Sequence, residues 1–209
     1  MINVLIAFDN LDNNLGDYFE QSKSQSSEVI AEVIQDYNCL EVPSTRCNVA
    51  YLDLILPQFN QSPFIFVNYS HGTSTTITCS NSIYISNDNV YLFSNAFAYI
   101  MSCEVAAELG PHFIANHALA FIGFNKETYA LRGSYQNLSI TCDNYALLLF
   151  LNGNILRDAF AAMKANYTIK ADHLEEMGEP LKAADLLECR DSLVFLGNGN
   201  LTIKDFILN

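Results

Sequence analysis

Apolar residues along this chain gather in short continuous runs, and between the runs lie stretches whose apolar positions recur three or four residues apart. The first run, "INVLIAF" over residues 2–8, reads as a strand covered on both faces. An Asn- and Asp-rich loop follows, then "SSEVIAEVIQDYN" (26–38), where Val29, Ile30, Val33, Ile34 and Tyr37 keep helical spacing. "CLEV" (39–42) predicts a short strand and "RCNVAYLDLILPQF" (46–59) a second helix broken late by Pro57. "FIFV" (64–67) predicts a buried strand that runs on to His71. This β-α-β-α-β order predicts a parallel sheet with helices on its faces.

After His71 the period changes to two. "TTITC-SN-SIYIS" (75–86) alternates around a two-residue polar turn and predicts a β-hairpin, to which "VYLF" (90–93) could add a third strand. "AFAYIMS" (96–102) resumes the buried type and ends on Cys103. A helix is expected to open there with "EVAAEL" and reach about Leu119, with Gly110-Pro111 as a kink. "AFIGF" (120–124) is the next core strand, residues 135–192 are mainly helical, and "LVFLGNGNLTI" (193–203) predicts a strand, a turn and a further short strand. No repeat or linker divides the chain, so a single domain over 1–209 is expected.

Composition narrows the function classes. Half of the 209 residues are apolar and 12% are aromatic, enough for a full core. Polar residues interrupt every apolar run before it reaches membrane-spanning length, and the start lacks a basic leader, so a cytoplasmic protein without a membrane partner is expected. A formal net charge of −13 repels nucleic acid and favours cationic partners. The six cysteines lie far apart with no C-x-x-C pair, which speaks against zinc ribbons and redox motifs and for reduced thiols.

Candidate chemistry sits at two strand ends. In open parallel sheets ligands bind beyond the carboxyl ends of the strands, where His71 and Cys103 are expected side by side. An imidazole can take or share a thiol's proton, and a helix beginning at Cys103 would stabilise its thiolate. Gly72, lacking a side chain, could bring its N–H close to a substrate carbonyl and form an oxyanion hole with the Cys103 N–H. His112, His117 and His173 are read as surface or packing residues, and "GNGN" (197–200) opens no long helix that could cradle a phosphate. The loop "DNLDNNLGD" (9–17) lacks EF-hand periodicity, so no metal or cofactor is assigned and calcium is left open there. It is also too acidic for the phosphate-cradling loop of a flavodoxin-like binder.

The blocks "FIFVNYSHG" and "AFAYIMSCE", with a hairpin between them, resemble the caspase-like cysteine peptidases, closest to the gingipain and CHAT branches. The resemblance runs over nearly the whole chain and is specific in the His-Gly and Ser-Cys blocks. It implies a three-layer α/β sandwich, a mainly parallel sheet with helices on both faces, and a hairpin inserted between the catalytic strands. It further implies His71 as general base, Cys103 as nucleophile, Gly72 and Cys103 as oxyanion donors, a protein substrate, and a regulatory or activating protein as a second partner. Asp9, at the end of the first strand, would lie on the specificity rim and select a basic residue, with Asp12 and Glu127 as further candidates. The chain departs from many CHAT proteins after the cysteine, where "CEVAAELG" delays the first glycine to Gly110. The alternative expectation is a non-catalytic module of the same fold that binds a protein partner.

Overall fold

A computed structural model describes residues 1–207. Strands β1 (Ile2–Phe8), β2 (Tyr37–Pro43), β3 (Phe64–Tyr69), β7 (Ala96–Met101), β8 (Ala120–Phe124) and β9 (Leu193–Gly197) form a six-stranded sheet in the order β2-β1-β3-β7-β8-β9. The first five are mutually parallel and β9 closes the edge antiparallel to β8. Between β3 and β7 a small antiparallel sheet forms from β4 (His71–Gly72), β5 (Thr76–Cys79) and β6 (Ser82–Ser86).

Every residue of β1, β3, β7 and β8 is buried, because both faces of the sheet are covered. Val4, Ile6, Ile65, Val67, Phe97 and Ile122 point to one core, shared with α1 (Gly16–Val33), α4 (Gln136–Leu151), α5 (Leu156–Glu176) and α6 (Pro180–Ser192). Leu5, Ala7, Phe64, Phe66, Ala98 and Phe121 point to the other, shared with α2 (Val49–Phe59), α3 (Leu109–Ala115) and the hairpin. The result is an α/β architecture with helices on both faces of a mainly parallel sheet. No helix among the described residues is long and apolar enough to cross a membrane.

Most elements lie where the apolar pattern predicts them, and the exceptions have physical causes. The first helix begins at Gly16, ten residues before the expected start, and gives way to β2 at Tyr37. Its early turns bury Tyr18 and Phe19 together with Ser22 and Ser26, whose hydroxyls bond to the carbonyls of Tyr18 and Ser22, so serines interrupt the apolar stripe on that face. Pro57 stays inside α2, near its C-terminal end. "VYLF" forms a 3₁₀ turn, and the third strand of the small sheet is His71–Gly72 itself. After Gly197 the chain makes no second strand; Ile203–Phe206 is a 3₁₀ turn closed by a Thr202–Asp205 capping box. The hairpin turn is as expected: Ser80 and Asn81 both have positive φ (49° and 62°), the form that matches strand twist.

All six cysteines are free. Cys47 and Cys79 are neighbours, and the Cys47 thiol together with burial pushes the Cys79 thiol far up. A thiol held neutral reacts slowly with oxidants. Unfolding the protein in denaturant without reductant should therefore expose six titratable thiols; a Cys47–Cys79 disulfide in that sample would contradict this.

Candidate active site

The register of β3 against β7 pairs Tyr69 with Met101, so His71 and Cys103 each lie two residues beyond the same row. Adjacent strands run about 4.8 Å apart, which brings the two side chains to one rim. Both line two cavities that meet between them. An outer cleft of about 230 Å³ is bordered by His71, Gly72, Cys103, Glu104 and Glu127. The inner one, of about 50 Å³, is lined besides them by Phe19, Met101, Phe124, Thr128 and Asp143.

His71 is fixed from the loop that follows β1. Asp12 Oδ1 accepts the N–H groups of Asn14 (2.8 Å) and Leu15 (2.6 Å), a local turn that leads into α1. Its other oxygen, Oδ2, accepts from His71 Nε2 at 3.2 Å. Partial burial pushes the Asp12 carboxyl up, but the Leu15 and Asn14 N–H groups and His71 outweigh this and hold it below the usual carboxylate range. Phe19 packs edge-on against the imidazole, with ring centroids 5.4 Å apart. The Asp-rich loop thus orients a histidine, and Asp12 faces the imidazole rather than the substrate rim. No cluster of metal-ligating side chains occurs among the described residues.

Cys103 does not begin a helix. Residues 103–108 form turns, and α3 starts at Leu109. Glu104 takes the left-handed backbone (φ 61°), its N–H bonds to the Lys126 carbonyl at 3.0 Å, and the Ala106 N–H bonds to the Phe124 carbonyl at 2.8 Å. These bonds to the end of β8 divert "EVAA" from helix despite its composition. The helix-dipole contribution expected for the thiolate is therefore missing. Cys103 Sγ accepts from the Thr128 N–H (3.5 Å) and lies 3.4 Å from Thr128 Oγ1 and 3.9 Å from the Thr128 carbonyl oxygen. No hydrogen bond joins Cys103 to His71, nor does the Cys103 N–H have a partner, among the described residues.

Gly72 presses on the backbone of Cys103. A Cβ there would lie 2.6 Å from Val105 Cγ1, 2.9 Å from the Cys103 carbonyl oxygen and 3.0 Å from Ser102 Cβ. Gly72→Ala is accordingly expected to displace the Cys103 turn and lower activity by about tenfold or more, since misplacement of about 1 Å can cost a hundredfold. Peptide hydrolysis by the folded variant measures this; unchanged activity would show that the turn yields without consequence.

Beneath the rim, Asn68 ties the two strand ends together. Its Nδ2 donates to Ser102 Oγ (2.8 Å) and Ser70 Oγ (3.0 Å), the residues just before Cys103 and His71, while Tyr84 from the hairpin donates to its Oδ1. All four side chains are buried, and among the described residues no buried side-chain polar atom lacks a partner.

Asp9 is placed elsewhere. It is 1% exposed, and its carboxylate accepts from Ser44 Oγ (2.7 Å), the Ser80 N–H (2.7 Å) and Ser80 Oγ (3.2 Å). It anchors the hairpin turn to the end of β1 and lines neither cavity. Glu127 does stand on the outer cleft, exposed beside Glu104. Thr128 and Asp143 escaped the sequence reading: one follows Glu127 in a loop, the other lies inside a helix, and neither carries a local signal.

No protein-family model matches this chain, and no curated protein matches it.

Proposed function

We propose that the protein is a cysteine endopeptidase of the caspase-like kind, acting on a protein substrate inside the cell. One observation carries this reading. Cys103 and His71 end neighbouring parallel strands on one cleft, with His71 oriented by Asp12 and Gly72 seated against the Cys103 backbone. With Nε2 turned to Asp12, Nδ1 is the imidazole nitrogen left for the reacting atoms.

The chemistry runs as acyl transfer. The Cys103 sulfur bonds to the scissile carbonyl carbon while its proton passes to His71, and the carbonyl oxygen takes negative charge opposite the N–H groups of Gly72 and Cys103. His71 then gives the proton to the leaving amine as the C–N bond breaks, leaving a thioester. Water, deprotonated by His71, attacks that thioester and returns the thiol.

The test is the rate at which iodoacetamide modifies each cysteine at neutral pH, read by mass spectrometry, together with cleavage of a peptide library. Cys103 should react at least about tenfold faster than the other five, since it borders the cleft beside His71, four of the others are buried, and burial pushes the Cys39 thiol up to about 11. Ordinary reactivity at Cys103 and an uncleaved library would favour the non-catalytic binding module instead.

A further inference from the structure

Strand β3 is apolar or aromatic except at Asn68, whose side chain is fully buried. Side chains alternate along a strand, so Asn68 shares a face with Phe64 and Phe66, toward α2 and the hairpin. Ser70, two residues on, lies on that face too. So does Ser102 beyond β7, where the register sets Asn68 level with Ile100. His71 and Cys103, one residue further, turn the opposite way and line the inner cavity beside Phe19 of α1. The pair on one face is thus backed by an amide and two hydroxyls on the other.

A valine or leucine at position 68 would suit a strand buried on both faces, so the amide has to be explained by what it bonds. A side-chain amide offers two donor hydrogens and two acceptor sites. One Nδ2 hydrogen goes to Ser102 Oγ at 2.8 Å and the other to Ser70 Oγ at 3.0 Å. Oδ1 accepts from the Tyr84 hydroxyl, and Ser70 Oγ lies 3.3 Å from it. The amide is saturated, and both of its donors reach the residue immediately before a member of the reacting pair. A saturated buried network holds one geometry, because a shift of any member leaves a polar atom unpaired.

Tyr84 supplies the reference point. Burial holds its hydroxyl well above the ordinary value, which keeps it a donor. The Tyr84 carbonyl accepts from Asn89 Nδ2 at 2.8 Å, and Asn89 Oδ1 accepts the Ser86 N–H at 2.9 Å. At the other end of β6, Asp9 holds the Ser80 turn to the end of β1. The hairpin is thereby fixed at two points away from His71 and Cys103. It reaches the histidine directly through the pairing of β4 with β5, and both strand ends through Tyr84 and Asn68. We propose that Asn68 is a positioning residue for Cys103 and His71, its amide setting the separation of the two strand ends and Tyr84 setting the amide. What the pair then does rests on the peptidase reading. The hairpin inserted between the two strands gains a task, since it carries the donor that orients the amide.

An amide that only stabilised the sheet would influence Cys103 whether or not His71 were present, and a double-mutant cycle separates the two roles. Wild type, Asn68→Ala, His71→Ala and the double variant are treated with iodoacetamide at neutral pH, and alkylation of Cys103 is followed by mass spectrometry. His71→Ala should slow it by about tenfold, because the imidazole assists loss of the thiol proton. Asn68→Ala should slow it by about fivefold with His71 present and by less than about 1.5-fold without it, a coupling typical of residues in one network. Tyr84→Phe, which removes a single oxygen, should cost about threefold and lose its effect in the same way. In peptide hydrolysis both variants should lower kcat and leave KM within about twofold, as for a group that shapes the reacting geometry and not substrate binding. Phe150→Leu, a core truncation against Phe97 and Phe206, should lower the unfolding temperature and leave these rates unchanged.

Equal slowing by Asn68→Ala with and without His71 would overturn the positioning role and leave the peptidase reading standing. The expected coupling in alkylation, alongside an uncleaved peptide library, would keep the positioning role and overturn the peptidase reading. Alkylation indifferent to His71→Ala would overturn both, since no pair would remain to be positioned. If Asn68→Ala does not fold, Tyr84→Phe carries the cycle alone, because it keeps the ring that fills the core. A threefold loss that persists unchanged in His71→Ala would then refute the role of the amide.

Discussion

Cys103→Ala is expected to abolish peptide hydrolysis, a loss of at least about 10³-fold, while leaving the fold intact. The sulfur removed lies at the rim and makes only weak contacts to Thr128, so little packing goes with it. His71→Ala should cost nearly as much, and the double variant hardly more than either single one, because groups that act on one proton are not additive. Circular dichroism and turnover of a cleaved peptide measure the two halves of this expectation. Full activity in either single variant would remove the mechanism. Asp12→Asn offers an intermediate case: Asn Oδ1 can still accept from His71 Nε2, but the charge that stabilises an imidazolium is gone, so activity should fall without the fold changing.

The second large effect is on stability and its pH dependence. Asp143 has an ordinary value of 3.8 that burial raises to about 6 in the folded protein. Between these two values the folded state binds its proton more firmly than the unfolded state, so stability falls as pH rises through the window. Above about 6 the loss is complete, at most about 3 kcal/mol by the usual conversion of pKa difference to free energy. Asp143→Asn carries no such penalty and keeps an oxygen for the hydroxyls of Tyr18 and Tyr167, which bond to the carboxylate. Relative to wild type, the variant should therefore gain stability between pH 4.5 and 7.5, measured by urea unfolding at each pH. Taking the difference between the two proteins cancels carboxylates such as Asp12, whose lowered value acts in the opposite direction. A difference that stays level with pH, or falls, would show that the carboxylate is not strained by burial.

Much of this molecule is legible in its sequence because hydrophobic periodicity is a local property. The runs 2–8, 64–67, 96–102 and 120–124 are apolar throughout, a pattern that a sheet covered on both faces imposes on each strand by itself. The strand ends follow from the same runs, so His71 and Cys103 can be found without knowing what lies opposite. The hairpin turn is legible for a similar reason, since Ser80-Asn81 between alternating strands needs only its neighbours. Local composition misled where long-range bonds overrode it. "EVAAEL" has helix-forming residues, yet its N–H groups bond to carbonyls at the end of β8, and α1 hides its start behind buried serines. The choice between Asp9 and Asp12 also lay beyond the sequence. Three residues apart, one turns inward to Ser44 and Ser80 and the other outward to His71. Asp143 is the extreme case. It stands in the middle of a helix with no motif around it, and only the packing of α4 against α1, α5 and the sheet brings it beneath two residues that precede it by 40 positions or more. Chain order and strand ends are written in near-neighbour patterns; which carboxylate meets which partner is decided by the folded backbone, because that choice depends on residues far apart in sequence.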